Sequence, residues 1–207
     1  MTADATADWP HKRDGGWDGP PDQSVTTAYG FWMFLIGDII MFASFFAGYA
    51  VLAQNRAGGP GPAELFDMKS VAVQTLCLLT STLTCAFASV ALKRRHMPAT
   101  QLWLAVTGLL GTAFVGLEIR EFQHLVETGA TPQRSAFLSA FFVLVGCHGV
   151  HVVAGLMWLG TMMAQLLVRG FKPYVERRVQ CFALYWHALD IVWVGLFSIV
   201  YIWSSIA

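Results

Sequence analysis

The sequence predicts an all-α, polytopic membrane protein with five transmembrane helices. Three observations predict it. The 207 residues are 56% hydrophobic and only 13% charged, with a mean hydropathy of +0.54, whereas soluble domains carry about 25% charged residues. The apolar residues gather into five runs, each longer than the ~20 residues that cross a hydrocarbon core. Backbone groups in lipid must satisfy one another locally, which makes such runs helices rather than strands.

Residues 1–27 are rich in Asp, Gly and Pro and contain no apolar h-region. They are expected to form a polar, mobile cytoplasmic tail and not a signal peptide. Residues 28–207 form the five-helix membrane domain. Its first span is Tyr29–Ala53, which opens with Tyr29 and Trp32 as interfacial anchors. The second is Val71–Leu92 and the third Leu102–Leu125. The fourth, Phe137–Val168, is long enough to tilt or to run past the interface. The fifth, Cys181–Trp203, closes on Tyr201 and Trp203. Small residues recur four apart at Ser44 and Gly48, Ala43 and Ala47, and Thr112 and Gly116, a spacing that lets helices approach.

Lys and Arg set the orientation. The tail and the even-numbered loops hold Lys12, Arg13, Lys93, Arg94, Arg95, Arg169, Lys172, Arg177 and Arg178. The opposite loops hold Arg56, Lys69 and Arg134, with Arg120 near a helix end. The bias places the N-terminus in the cytoplasm and the C-terminus in the periplasm. A net charge of zero gives no reason to expect a nucleic-acid partner.

Cys77, Cys85, Cys147 and Cys181 lie in or beside apolar runs, and neither CxxC nor CxxCH occurs. They read as small buried residues, not as a disulfide framework, an iron–sulfur centre or a covalent haem site.

The informative residues are seven ionisable groups inside the spans: Asp38, Glu118, Glu121, His148, His151, His187 and Asp190. Each costs about 2.5–3.5 kcal/mol at a span centre, so each should face protein. Glu118 and Glu121 are three residues apart, as are His148 and His151, and His187 and Asp190. Each pair therefore shares a helix face. Trp186 and Trp193 extend the stripe on the fifth helix, and Gly155 extends it on the fourth. Counting depth at ~1.5 Å per residue predicts an inner cluster of Asp38, His187 and Asp190. It predicts an outer cluster in which Glu118 or Glu121 meets His148 or His151, directly or through water or a lipid headgroup. Asp38 is expected to find its polar partner on the fifth helix.

Metal ligation is poorly supported. Glu121 and His124 form one ExxH pair, whereas bundle di-iron sites use two with two further carboxylates. His151 and His187 differ by roughly nine residues in depth, or ~13 Å, too far to share a haem iron. Polar stapling of the bundle and a proton or lipid-headgroup role both remain open, with Asp38 the candidate for proton transfer.

Four stretches, "GFWMFLIGDIIMFASFFAGYAVL", "FVGLEIREFQHL", "SAFLSAFFVLVGCHGVHVVAGLMWL" and "YWHALDIVWVGLFSIVY", resemble subunit III of the haem–copper oxidases. The likeness covers residues 29–203 and is greatest to the five-span form in the cytochrome o ubiquinol oxidase branch. The loop "NRAGGPGPAELFDM" is similar to that form's first periplasmic loop. The resemblance implies a non-catalytic subunit of a proton-pumping quinol oxidase in the bacterial inner membrane. The haems and copper would lie in subunit I, its direct partner, with subunits II and IV completing the complex. Bound phospholipid is implied, and no cofactor or metal in this chain. Asp38 takes the place of the family's buried helix-one carboxylate, which is Glu in many members. Glu121, His148, His151, His187 and Asp190 match family positions. Subunit III of a cytochrome c oxidase, usually of seven spans, or a nitric-oxide-reductase accessory protein is the alternative within the family. Outside it stands a proton-coupled transporter, for which the inverted repeats and broken helices are missing.

Overall fold

A computed structural model describes residues 23–53 and 68–203. The tail up to residue 22 and the loop at 54–67 lie outside the described residues. The elements are α1 (Gln23–Leu52), α2 (Met68–Lys93), α3 (Met97–Glu127), α4 (Ala136–Arg169) and α5 (Pro173–Leu196). The last runs on as a π-helical segment, Phe197–Trp203. All five helices are long and apolar enough to cross a membrane. The chain is a multi-pass membrane protein.

Each helix outruns its apolar core, because helices continue into the polar interface until a cap stops them. Gln23–Thr27, assigned to the tail from composition, are the first turn of α1. The α2–α3 turn places Arg95 at φ 54°. His96 then caps α3, its Nδ1 accepting from the Ala99 N–H at 3.3 Å, with Pro98 in the first turn. Ser135 caps α4 through the Leu138 N–H at 3.2 Å. Gly170, at φ 66°, ends α4, and Pro173 opens α5 three residues later. Hydropathy misses the first turns of α5 because they carry Glu176, Arg177 and Arg178.

Short connections make α2 and α3, α3 and α4, and α4 and α5 packed neighbours, and α5 closes the ring against α2. α1 lies outside this ring on the edge formed by α4 and α5. The core is aromatic: Phe42, Phe114, Phe137, Phe141, Phe182, Trp186 and Trp193 are buried. Large apolar side chains such as Val51, Leu109, Val150 and Ile191 point outward, the pattern of a surface solvated by lipid.

The close approaches at glycine do not fall at Gly48 or Gly116, the glycines of the small-residue pairs expected. A Cβ added at Gly48 or Gly116 meets nothing within 4 Å. One at Gly111 would come within 2.9 Å of the Trp186 ring, and one at Gly155 within 3.0 Å of it. Spacing along one helix does not say which face meets a neighbour. A large aromatic on the facing helix decides which glycine is needed.

Candidate functional site

The buried polar residues form several separate contacts, each joining two or three helices. Asp38 of α1 faces His151 of α4, with Nε2 at 3.9 Å from Oδ1. His151 Nδ1 stands 2.8 Å from the Cys147 carbonyl oxygen, so this nitrogen donates. That leaves Nε2 toward the acid. A proton between Nε2 and Oδ1 makes the contact attractive, whether written as imidazolium facing carboxylate or as carboxylic acid facing imidazole. Tyr185 of α5 donates to the His151 carbonyl at 2.9 Å, and Phe42 packs on the imidazole at 5.2 Å between centroids. Three helices thus converge on His151.

His148, one turn earlier and fully buried, has different surroundings. Its Nε2 lies 3.2 Å from the Leu189 carbonyl oxygen of α5 and donates to it. Its ring is enclosed by Phe114 at 5.7 Å, Trp193 at 5.2 Å and Phe42 at 6.4 Å. Nδ1 has no hydrogen-bond partner among the described residues.

The glutamates pair elsewhere. Glu121 accepts from Gln74 Nε2 of α2 at 2.7 Å and from the Tyr201 hydroxyl at 3.5 Å. Glu118 is 4% exposed, and its carboxyl seats against α4 where residue 149 has no side chain. A Cβ at Gly149 would fall 2.8 Å from Oε1. Neither Glu118 oxygen has a hydrogen-bond partner among the described residues.

On α5, His187 turns Nδ1 back to the Ala183 carbonyl of its own helix. Asp190 is buried, and neither its Oδ1 nor the Thr82 hydroxyl of α2 has a hydrogen-bond partner among the described residues. Trp186 Nε1 donates to Ser81 Oγ at 2.8 Å, and Trp193 Nε1 to Thr75 Oγ1 at 3.1 Å. Both tryptophans therefore bind α5 to hydroxyls on α2, while Gly111 and Gly155 make room for the Trp186 ring.

One expectation needs correction. The ion-pair partner of Asp38 lies on the fourth helix, not the fifth, although Tyr185 and Leu189 of α5 also border it, and no polar pair joins Asp38 to His187 or Asp190 among the described residues. The reason is depth. With α1 starting at Gln23, Asp38 is its sixteenth residue of 30, and His151 is the sixteenth of 34 in α4. Both sit near the middle of their helices. In the outer cluster α3 and α4 are neighbours as expected, and the Glu118 carboxyl seats beside Gly149, next to His148, with no direct glutamate–histidine hydrogen bond or ion pair among the described residues. His148 and His151 are turned to α5 and α1, and Glu121 to α2.

Sequence reading missed Gln74, Thr75, Ser81 and Tyr185, and it read Tyr201, which is buried and donates to Glu121, as an interfacial anchor. Gln74 carried a signal, being an uncharged amide inside an apolar run. The hydroxyls carried little, because Ser and Thr also bond their own helix, as Thr75 does to Val71. Glu121 and His124, the single ExxH pair, line a polar recess with Arg120 and Glu127. Among the described residues no group of three or more His, Cys, Asp or Glu is placed to hold a metal ion.

Fold and site define a helical multi-pass membrane protein whose buried polar groups join its own helices. Residues 12–205 match the family described as cytochrome c oxidase subunit III. The chain belongs to that family. It is 45% identical to the cytochrome bo(3) ubiquinol oxidase subunit 3 of Pseudomonas aeruginosa, covering 91% of this chain and 90% of the relative. With the protein of that name from Pseudomonas putida it shares 47% identity, over 87% of each. It is also 44% identical to the cytochrome c oxidase subunit 3 of Bacillus subtilis, over 86% of each. The last match shows that a relative named for cytochrome c is as fully covered as those named for ubiquinol.

Proposed function

We propose that the chain is the non-catalytic subunit III of a proton-pumping, cytochrome o-type ubiquinol oxidase. In this reading the complex oxidises quinol and reduces oxygen to water in a bacterial inner membrane. Subunit I carries the haems and copper and is the direct partner, with subunits II and IV beside it. This chain holds no redox centre, stabilises subunit I and retains lipid. Its N-terminus is cytoplasmic and its C-terminus periplasmic, as the Lys and Arg bias favours.

The observation that carries the reading is how the buried polar groups are used. His148, His151, Glu121, Trp186 and Trp193 all bond to neighbouring helices of this chain. That is the arrangement of a rigid scaffold. Asp38 is the exception that supports a role in proton uptake: its side chain is 23% exposed at mid-helix and faces a histidine.

Mild-detergent purification through a tag on this chain tests the proposal. A haem-containing subunit should co-purify, and the eluate should oxidise ubiquinol and not reduced cytochrome c. Oxidation of cytochrome c alone would move the chain to the alternative branch. Recovery of the chain without any haem protein would contradict the reading.

A further inference from the structure

The α2–α3 turn carries a groove that no contact among the described residues fills. It encloses about 390 Å³ and is lined by Phe87, Val90, Ala91 and Arg94 of α2, by His96 in the turn, and by Ala99 and Trp103 of α3. The α2 residues are spaced 0, 3, 4 and 7, one helical stripe. The groove therefore runs about 10 Å along the helix, from a cation at its mouth to an aromatic ring at its deep end. That end is walled by Phe87 and Trp103, whose centroids are 5.1 Å apart.

The cations at the mouth are free to act outward. Arg95, next along, is taken by Glu176 at 3.4 Å. The Arg94 side chain has no hydrogen-bond or ion-pair partner among the described residues. His96 uses Nδ1 as the α3 cap, so its Nε2–H is the donor left facing out. Lys93, Arg169, Lys172, Arg177 and Arg178 lie at this same end of the bundle. Glu176 is the one acidic side chain there among the described residues.

We propose that this groove is a binding site for one anionic phospholipid. The phosphate sits between Arg94 and His96, where a guanidinium offers paired donors to phosphate oxygens. An acyl chain runs down the Val90, Phe87 and Trp103 wall into the hydrocarbon. Charge complementarity selects this occupant. The larger groove between α1 and α5, lined by Trp32, Ile39, Phe46, His187 and Ile191, has no Lys or Arg in its lining. The polar recess at the opposite end of α3 mixes Arg120 with Glu121 and Glu127. Neither offers a net positive mouth above an apolar wall. The inference requires that the helices span a bilayer, and it is independent of which electron donor the complex uses.

The test places a photo-crosslinking p-benzoylphenylalanine at Val90 in the assembled complex, in membranes containing both phosphatidylglycerol and phosphatidylethanolamine. Irradiation should add the mass of one phospholipid to this chain, with phosphatidylglycerol preferred. Arg94→Gln should lower the adduct about fivefold, the contribution of one cation near a membrane surface. Arg94→Lys should keep most of it, and Arg134→Gln at the opposite end should leave it unchanged. A crosslink to another polypeptide would overturn the proposal. So would a lipid adduct with no headgroup preference, a result that needs only the unsubstituted Arg94 chain.

Discussion

His151 Nε2 stands 3.9 Å from Asp38 Oδ1 while its Nδ1 is committed to the Cys147 carbonyl. The committed nitrogen fixes which face of the imidazole the acid sees. The contact ties α1, which lies outside the four-helix ring, to the middle of α4. Asp38→Asn and His151→Gln, singly and together in the assembled complex, should therefore show a coupling. Both side chains are about a fifth exposed, so the value should be modest, about 0.6 kcal/mol and below about 1.7 kcal/mol as for other polar pairs between membrane helices. Unfolding measured in mild detergent checks it. Strict additivity would show that the pair does not hold α1.

His148→Ala should loosen the bundle without touching a redox spectrum. The cost comes from the void left among Phe42, Phe114 and Trp193 and from the freed Leu189 carbonyl. Truncation of a large buried side chain costs about 2–5 kcal/mol. The expected phenotype is loss of this chain from the purified complex, read by gel, with the haem spectrum of the remaining subunits unaltered. A complex of normal composition and melting temperature would contradict this.

Gly111→Ala should destabilise the chain by about 1–3 kcal/mol, the usual cost of overpacking. The new methyl would meet the Trp186 ring at 2.9 Å, and that ring cannot retreat because Gly155 and the Ser81 hydrogen bond hold it. Gly116→Ala, on the same helix with nothing within 4 Å, should cost nothing. Adding Trp186→Phe to the Gly111→Ala chain should recover packing, which separates a local clash from a general intolerance of α3.

Two donors to Glu121 among the described residues, Gln74 and Tyr201, should be unequal. Gln74→Leu removes a 2.7 Å bond from a buried amide to a half-buried carboxyl and should cost about 1–3 kcal/mol, the range for a hydrogen bond to a charged group. Tyr201→Phe removes a 3.5 Å contact and should cost less. Thermal melts of the two variants decide the order. The reverse order would show that the π-helical end of α5, not α2, carries the acid.

Much of the architecture was legible because hydropathy and charge act on whole helices. Five runs gave five helices, and short connections gave three of the packed pairs. Helical spacing correctly placed His148 with His151 on one stripe, yet the stripe serves two neighbours: His148 reaches α5 and His151 reaches α1. Nothing in one sequence states the rotation of a helix about its axis, and a turn of the bundle reassigns every partner. Depth failed for a second reason. It was counted from the apolar runs, whereas α1 begins at Gln23, six residues before its run. Gly149 and Gly155 differ in the same way: one makes room for a carboxyl and the other for an indole, and the sequence shows only two glycines.

The central claim is that this chain is a scaffold for a partner's chemistry and has none of its own. Stripping it from the purified oxidase and analysing both fractions for haem, copper and oxygen consumption tests that claim most directly. The account predicts all haem and copper in the remaining subunits, with oxygen reduction continuing there at lowered stability. Stoichiometric haem or copper in the stripped chain would contradict it.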